Sequence, residues 1–510
     1  MLFNSYEFIF IFIPLVLSGY YLSDHLFNKT IQKVVLVTAS LFFYGYWNHY
    51  YLPLIVLSVL FNYFSAIIIY NQKNKAYLLF AISVNLFSIV YFKYANFFIE
   101  NINHAFGSSI IFEDIILPLA ISFFTFQQIS FLVDVYRDEI EEIDFLDYSL
   151  FVTFFPQLIA GPIVHHKEII PQFNKASTPV INWEFIAIGI AIFCMGLFKK
   201  VVIADDLASN VTLIFSNIEQ GQFVSFLAAW SGAVGYSFQL YFDFSGYSDM
   251  AFGLALLFGV KLPINFFSPY RSANIIIFWR TWHISLSRFL RDYVYFTLGG
   301  SKHGPVRKSA NLMITMLLGG LWHGAGWAFV IWGGIHGALL ILNNAWRSLK
   351  KLFHIKDSET EINYRICQLF TFLCVTLAWV FFRSESLDGA LHMFWIMFGL
   401  EGINISHKAS QFLTYLPSIF IASDMIGMFE PIGDAPTYAT KLIVLYLWVI
   451  FLPNPYELFK LYHQKRLHST GFKFNILFKP NAGWAFLLAV IFYVSISNIG
   501  SYSEFLYFRF

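Results

Sequence analysis

The feature that most constrains this chain is the recurrence, from end to end, of apolar runs close to the length of a membrane span. A helix needs about 20 apolar residues to cross the hydrocarbon core. Runs near that length occur at 8–22, 34–47, 52–70, 76–92, 115–133, 150–164 and 185–197, and again at 223–242, 250–260, 312–322, 327–342, 367–382, 412–426, 442–452 and 484–496. Several are too short to span alone and read as re-entrant or interfacial pieces. The expected fold is therefore an all-α polytopic membrane protein of roughly eleven to fourteen helical segments. Composition agrees. Of 510 residues, 58% are hydrophobic and only 12% charged, which a water-facing surface could not use. No fixed-period repeat or linker divides the chain, so residues 1–510 read as one integral membrane domain. The first run follows MLFNSYE, which has no Lys or Arg, and no small-residue cleavage site follows it. It reads as a retained membrane helix, not a signal peptide.

Charge excludes further classes. With 32 basic and 31 acidic residues there is no global basic field for nucleic acid. Cys194, Cys367 and Cys374 lie in apolar runs without a Cys-x-x-Cys pair, so neither a disulfide framework nor a zinc site is expected. No metal-binding or Walker-type motif occurs. Two loops carry the local charge. The stretch DVYRDEIEEIDFLD, from Asp134 to Asp147, reads as a solvated acidic connection. Lys261 to Lys308 is basic, holding Arg271, Arg280, Arg288, Arg291, Lys302 and Arg307 against the single acid Asp292. It should face the cytoplasm, partly embedded in the interface because FWRTWHISLSRFLRDYVYF interleaves aromatics with the charges. Such a surface suits a phosphate- and adenine-bearing donor, or equally anionic lipid headgroups.

In a membrane chain the informative residues are polar ones at apolar depth, each costing about 2.5–3.5 kcal/mol when ionised at a helix centre. His323, in LLGGLWHGAGWAFVIWGG, is flanked by apolar and small residues, and His283 lies between Trp282 and Ile284. A buried imidazole can take a proton from an alcohol near neutral pH. Gly319, Gly320, Gly324 and Gly326 would let backbones and a substrate approach closely, with Trp322 and Trp327 as walls. The alternative for His323 is a histidine satisfied by a neighbouring helix. For His336, thirteen residues on, that structural reading is favoured. Asp243 and Asp249, in YFDFSGYSDMAFG near an expected helix start, lie on roughly opposite helix faces and do not read as a catalytic carboxylate pair. NFFSPY (265–270) and FFPQLIAGP (154–162) read as turns at membrane depth.

Together, FWRTWHISLSRFLRDYVYFTLGG, LLGGLWHGAGWAFVIWGGIHG and YFDFSGYSDMAFG resemble the membrane-bound O-acyltransferases, the MBOAT family, and within it the bacterial branch of alginate and peptidoglycan O-acetylation and teichoic-acid D-alanylation membrane proteins. The opening MLFNSYEFIFIFIPLVLSGYYL and closing EFLYFRF resemble the same branch. The resemblance implies a ring of helices around a central tunnel, with a family core over about 115–400. It implies that His323 is the membrane histidine acting as catalytic base, and that His283 is the second histidine, on the donor side. It also implies that Tyr507 is a C-terminal tyrosine that carries the acyl group; otherwise Tyr507 is an interfacial anchor. Arg280, Arg288 and Arg291, with Trp279 and Trp282, then form the donor mouth. No bound cofactor is expected. Acetyl-CoA is the donor substrate, and a periplasmic SGNH-type O-acetyltransferase with a serine nucleophile is the partner that delivers acetyl to an envelope polysaccharide. Peptidoglycan leads as acceptor, with alginate and then teichoic-acid D-alanylation as alternatives. The implied location is the bacterial inner membrane. A polysaccharide or lipid transporter is the alternative class, and it predicts inverted repeats that the sequence does not display.

Overall fold

The computed structural model describes residues 1–26, 28–111, 115–174, 181–355, 360–402, 435–461, 478–500 and 506. Among them every regular element is helical and no β-strand occurs. Among the described residues five helices are long and apolar enough to cross a membrane: His49–Gln72, α1 (Lys75–Phe106), α2 (Trp183–Glu219), Trp327–Leu352 and Glu361–Arg383. The protein is a multi-pass membrane protein. The apolar run at 412–426 lies outside the described residues.

At its centre stands α3 (Phe226–Leu257), thirty-two residues long and so about 48 Å from end to end. Ser225 caps it by accepting from the Ala228 N–H, and every residue from Gly235 to Leu257 is buried, the acids Asp243 and Asp249 included. This corrects the sequence reading, which separated 223–242 from 250–260 and placed YFDFSGYSDMAFG near a helix start. No break occurs there, because α2 neutralises the acids that interrupt the apolar pattern. Lys199 reaches Asp249 (2.6 Å) and Lys200 reaches Asp243 (2.7 Å), and Lys200 also binds Asp205 (2.6 Å). Both lysines start a π-helical stretch, Lys199–Ala204, of the kind often found at functional positions. The two helices touch backbone to backbone: a Cβ on Gly246 would lie 2.8 Å from the Gly196 carbonyl oxygen, as small residues allow in membrane interfaces.

The expected turns at depth are present. Phe145–Thr153 stops at Phe154, ahead of the short helix Phe155–Leu158 with Pro156 in its first turn. Ser268 adopts φ +49° before Pro269. The acidic connection differs from the expectation at both ends. Asp134 is buried and accepts from the Tyr293 hydroxyl (2.8 Å), and Asp147 pairs with Lys33 and Asn174. A carboxylate taken from water needs such partners.

Candidate active site

The site grows out of four helices and the breaks between them: α4 (Ile275–Thr281), α5 (Ile284–Phe289), α6 (Gly304–His323) and α7 (Trp327–Leu352). His323 is the last residue of α6. Gly324 and Gly326 are extended, and α7 turns back beside α6. The hairpin is tight because glycine faces glycine: a Cβ on Gly320 would lie 3.1 Å from the Gly333 Cα and collide with the Phe329 carbonyl. His323 is buried among the edges of Trp322, Trp332 and the Phe382 ring of α8 (Glu361–Arg383), with ring centroids 4.8, 5.1 and 5.1 Å away.

His283 occupies the break between α4 and α5. Its φ of +42° is left-handed, a conformation that disfavours a side chain with a Cβ and clusters at functional sites. Asn265, from the NFFSPY turn, holds the break. Its side-chain oxygen is 3.1 Å from His283 Nδ1 and accepts from the Ser285 hydroxyl (2.9 Å), while its backbone carbonyl accepts from the Ile284 N–H (2.9 Å). Phe244 of α3 presents its ring edge-on to His283 at 4.8 Å. The structure thereby brings together two histidines forty residues apart in the chain: the rings of His283 and His323 are 6.4 Å apart. The two imidazoles thus meet as neighbouring rings inside an aromatic shell, and an imidazole is the side chain best suited to general acid–base work near neutral pH.

The remaining residues fall differently. His336 is fully buried one layer deeper, where its Nδ1 accepts from the Trp279 indole N–H (3.3 Å). Trp279 and Trp282 are also buried. Trp282 stacks on Phe278 and meets the tilted ring of Trp379 at 5.0 Å, while Trp279 packs edge-on against His336. Arg288 pairs with Glu168 (2.5 Å) and Arg291 with its neighbour Asp292 (2.7 Å), whereas Arg280 is exposed with no ion-pair partner among the described residues. The three arginines share a segment, but two are already committed to carboxylates. Tyr507 lies outside the described residues. Leu506, just before it, is buried, and its N–H donates to the Asp243 carboxylate (3.2 Å). Among the described residues no three His, Cys, Asp or Glu side chains converge to hold a metal.

Sequence reasoning missed Asn265, and it missed Lys93 and Tyr94 of α1. The Lys93 ammonium donates to the carbonyls of Trp322 (2.6 Å) and His323 (3.1 Å), and the Tyr94 hydroxyl to that of Leu321 (2.5 Å). The available signal was a lysine inside a long apolar region.

The family model for MBOAT, membrane-bound O-acyltransferase family, matches residues 17–387, which include both histidines and the hairpin. The chain belongs to the MBOAT family. It is similar over its whole length to a peptidoglycan O-acetyltransferase of Helicobacter pylori, at 40% identity covering 100% of this chain and 98% of that protein. It is also similar to a probable alginate O-acetylase of Azotobacter vinelandii, at 38% identity over 86% of this chain and 87% of the relative. A teichoic acid D-alanyltransferase of Streptococcus thermophilus matches at 29% identity, over 47% of this chain and 60% of its own. The protein is thus a membrane-embedded acyltransferase, which sets aside the transporter reading.

Proposed function

We propose that the protein moves acetyl groups from cytoplasmic acetyl-CoA across the inner membrane for O-acetylation of peptidoglycan. The observation that carries this reading is the meeting of His283 and His323 at two helix breaks in the membrane, in a chain alike end to end to a peptidoglycan O-acetyltransferase. The basic ends of the α6–α7 hairpin (Arg307, Lys308, Lys350 and Lys351) favour the cytoplasmic side. Acetyl-CoA enters on the basic side near Arg280, Arg288 and Arg291. His323 accepts the proton of the hydroxyl that attacks the thioester carbonyl; the C–S bond breaks, an acetyl ester forms and the coenzyme leaves as its thiol. Tyr507 is the proposed hydroxyl, a role supported by the burial of Leu506 against α3. A periplasmic SGNH-type partner with a serine nucleophile then takes the acetyl group to the polysaccharide. Alginate is the second reading for the acceptor, favoured by the likeness to the alginate O-acetylase.

Purified protein incubated with acetyl-labelled acetyl-CoA tests the first half. One acetyl on the intact chain, absent from His323→Ala and Tyr507→Phe, is expected. Acetylation that survives Tyr507→Phe removes the carrier, and acetylation that survives His323→Ala removes the base.

A further inference from the structure

Lys93 lies within α1, a helix that spans the membrane by length and composition, yet no carboxylate answers it among the described residues. Its partners are the Trp322 and His323 carbonyls. With the Leu321 carbonyl, taken by Tyr94, these are the final three of α6. The last carbonyls of any helix lack intrahelical partners, and in a bilayer water does not reach them freely. A glycine after a helix commonly satisfies them by turning left-handed, but Gly324 is extended (φ −161°). The bonds come instead from across the fold. The π-helical stretch Val90–Tyr94 sets two consecutive side chains on one helix end, and a cation there also suits the negative end of the helix dipole. Hydroxyls or amides could fill two carbonyls without bringing a charge into the membrane, so the choice of lysine needs a reason beyond capping.

We propose that Lys93 is a positioning residue for His323: with Tyr94 it locks the last turn of α6 and so fixes the direction of the imidazole toward His283. This rests on His323 being the base. A cavity of about 250 Å³ lined by Lys93, Asn96, Gly324, Ala325 and Phe329 adjoins the clamp, and through it a small amine can reach the place the Lys93 ammonium fills.

The experiment compares purified wild type with Lys93→Met, Lys93→Ala, Lys93→Arg and Tyr94→Phe by acetyl-CoA turnover, with the periplasmic partner and peptidoglycan supplied as acetyl acceptors, and by amide deuterium uptake across residues 319–329. Misplacing a catalytic group by about 1 Å costs on the order of 100-fold. Lys93→Met is therefore expected to lose about 10- to 100-fold in kcat with little change in KM, and to take up deuterium faster at the turn but not in α3. Lys93→Arg, which keeps the charge and donors, should recover most of the rate. Methylammonium should rescue Lys93→Ala, whereas tetramethylammonium, which has no N–H, should not. Tyr94→Phe, the gentler variant if Lys93→Met fails to fold, should shift rate and uptake in the same direction by less. Unchanged kcat in Lys93→Met overturns the proposal, as does a lost kcat with wild-type uptake at the turn. If the wild type itself does not turn over acetyl-CoA, the function reading fails, and faster or unchanged uptake in Lys93→Met alone upholds or overturns the clamp.

Discussion

Two buried polar centres stand side by side against α3, and they are built in opposite ways. One is ionic: Lys199, Lys200, Asp205, Asp243 and Asp249 close on one another inside the bundle. The other is the histidine centre, where His283 and His323 meet an amide oxygen and aromatic edges at two broken helices. The ionic centre lies where helices are continuous and tightly packed, so its polarity is spent on holding α2 to α3. The histidine centre lies where helices end, at a left-handed residue and at an extended glycine, not along a continuous helix. In a membrane, then, the character of the backbone around a buried polar group separates scaffold from site.

That contrast predicts different failures. Asp249→Leu leaves Lys199 buried without its carboxylate and should destabilise the protein by about 3–5 kcal/mol, read as lost accumulation and a lower thermal midpoint. Adding Lys199→Met should recover most of it, since a buried pair replaced by apolar groups is often neutral. A double variant as unstable as the single one would show that the centre is more than a scaffold. His323→Ala should do the reverse: its thermal midpoint stays close to wild type while acetyl-CoA turnover falls about 10²- to 10⁴-fold. Loss of stability in step with activity would break the comparison from the other side. Gly320→Val, which forces α6 from α7, should sit between, costing about 1–3 kcal/mol by overpacking and reducing turnover along with stability. The smallest effect belongs to the mouth. Arg280→Gln should raise KM for acetyl-CoA a few-fold, because an exposed charge pair contributes only about 0–1 kcal/mol. Arg288→Gln should do less, its charge being already paired with Glu168. Equal effects from the two would refute the assignment of Arg280 as the open cation.

The class of fold and the two histidines were legible in the sequence for one reason: polar groups inside apolar runs stand out, and helix-breaking glycines and the Asn265–Tyr270 turn mark where they do so. The same contrast misled elsewhere. The apolar runs 76–92 and 185–197 stop short of Lys93 and Lys199, yet α1 continues through Lys93 to Phe106 and α2 through Lys199 and Lys200 to Glu219. In each case the partner that makes the charge tolerable comes from a distant part of the chain: carbonyls at 322 and 323 for Lys93, carboxylates at 243 and 249 for the lysine pair. Long-range partners leave no local pattern. The sequence pattern therefore breaks α3 at its acids, and it does not reveal the bonds from Lys93 to the end of α6. Arg288 and Arg291 looked like a phosphate-binding set because their carboxylates, Glu168 and Asp292, do not announce a pairing in sequence.

The central proposal is that the histidine centre transfers the acetyl groups for O-acetylation of peptidoglycan. The most direct measurement is ester-linked acetate released by mild base from purified peptidoglycan, in cells carrying either the wild-type chain or His323→Ala at equal membrane levels. The account predicts acetate at the level of a deletion strain for His323→Ala. Wild-type acetate in that variant would contradict it.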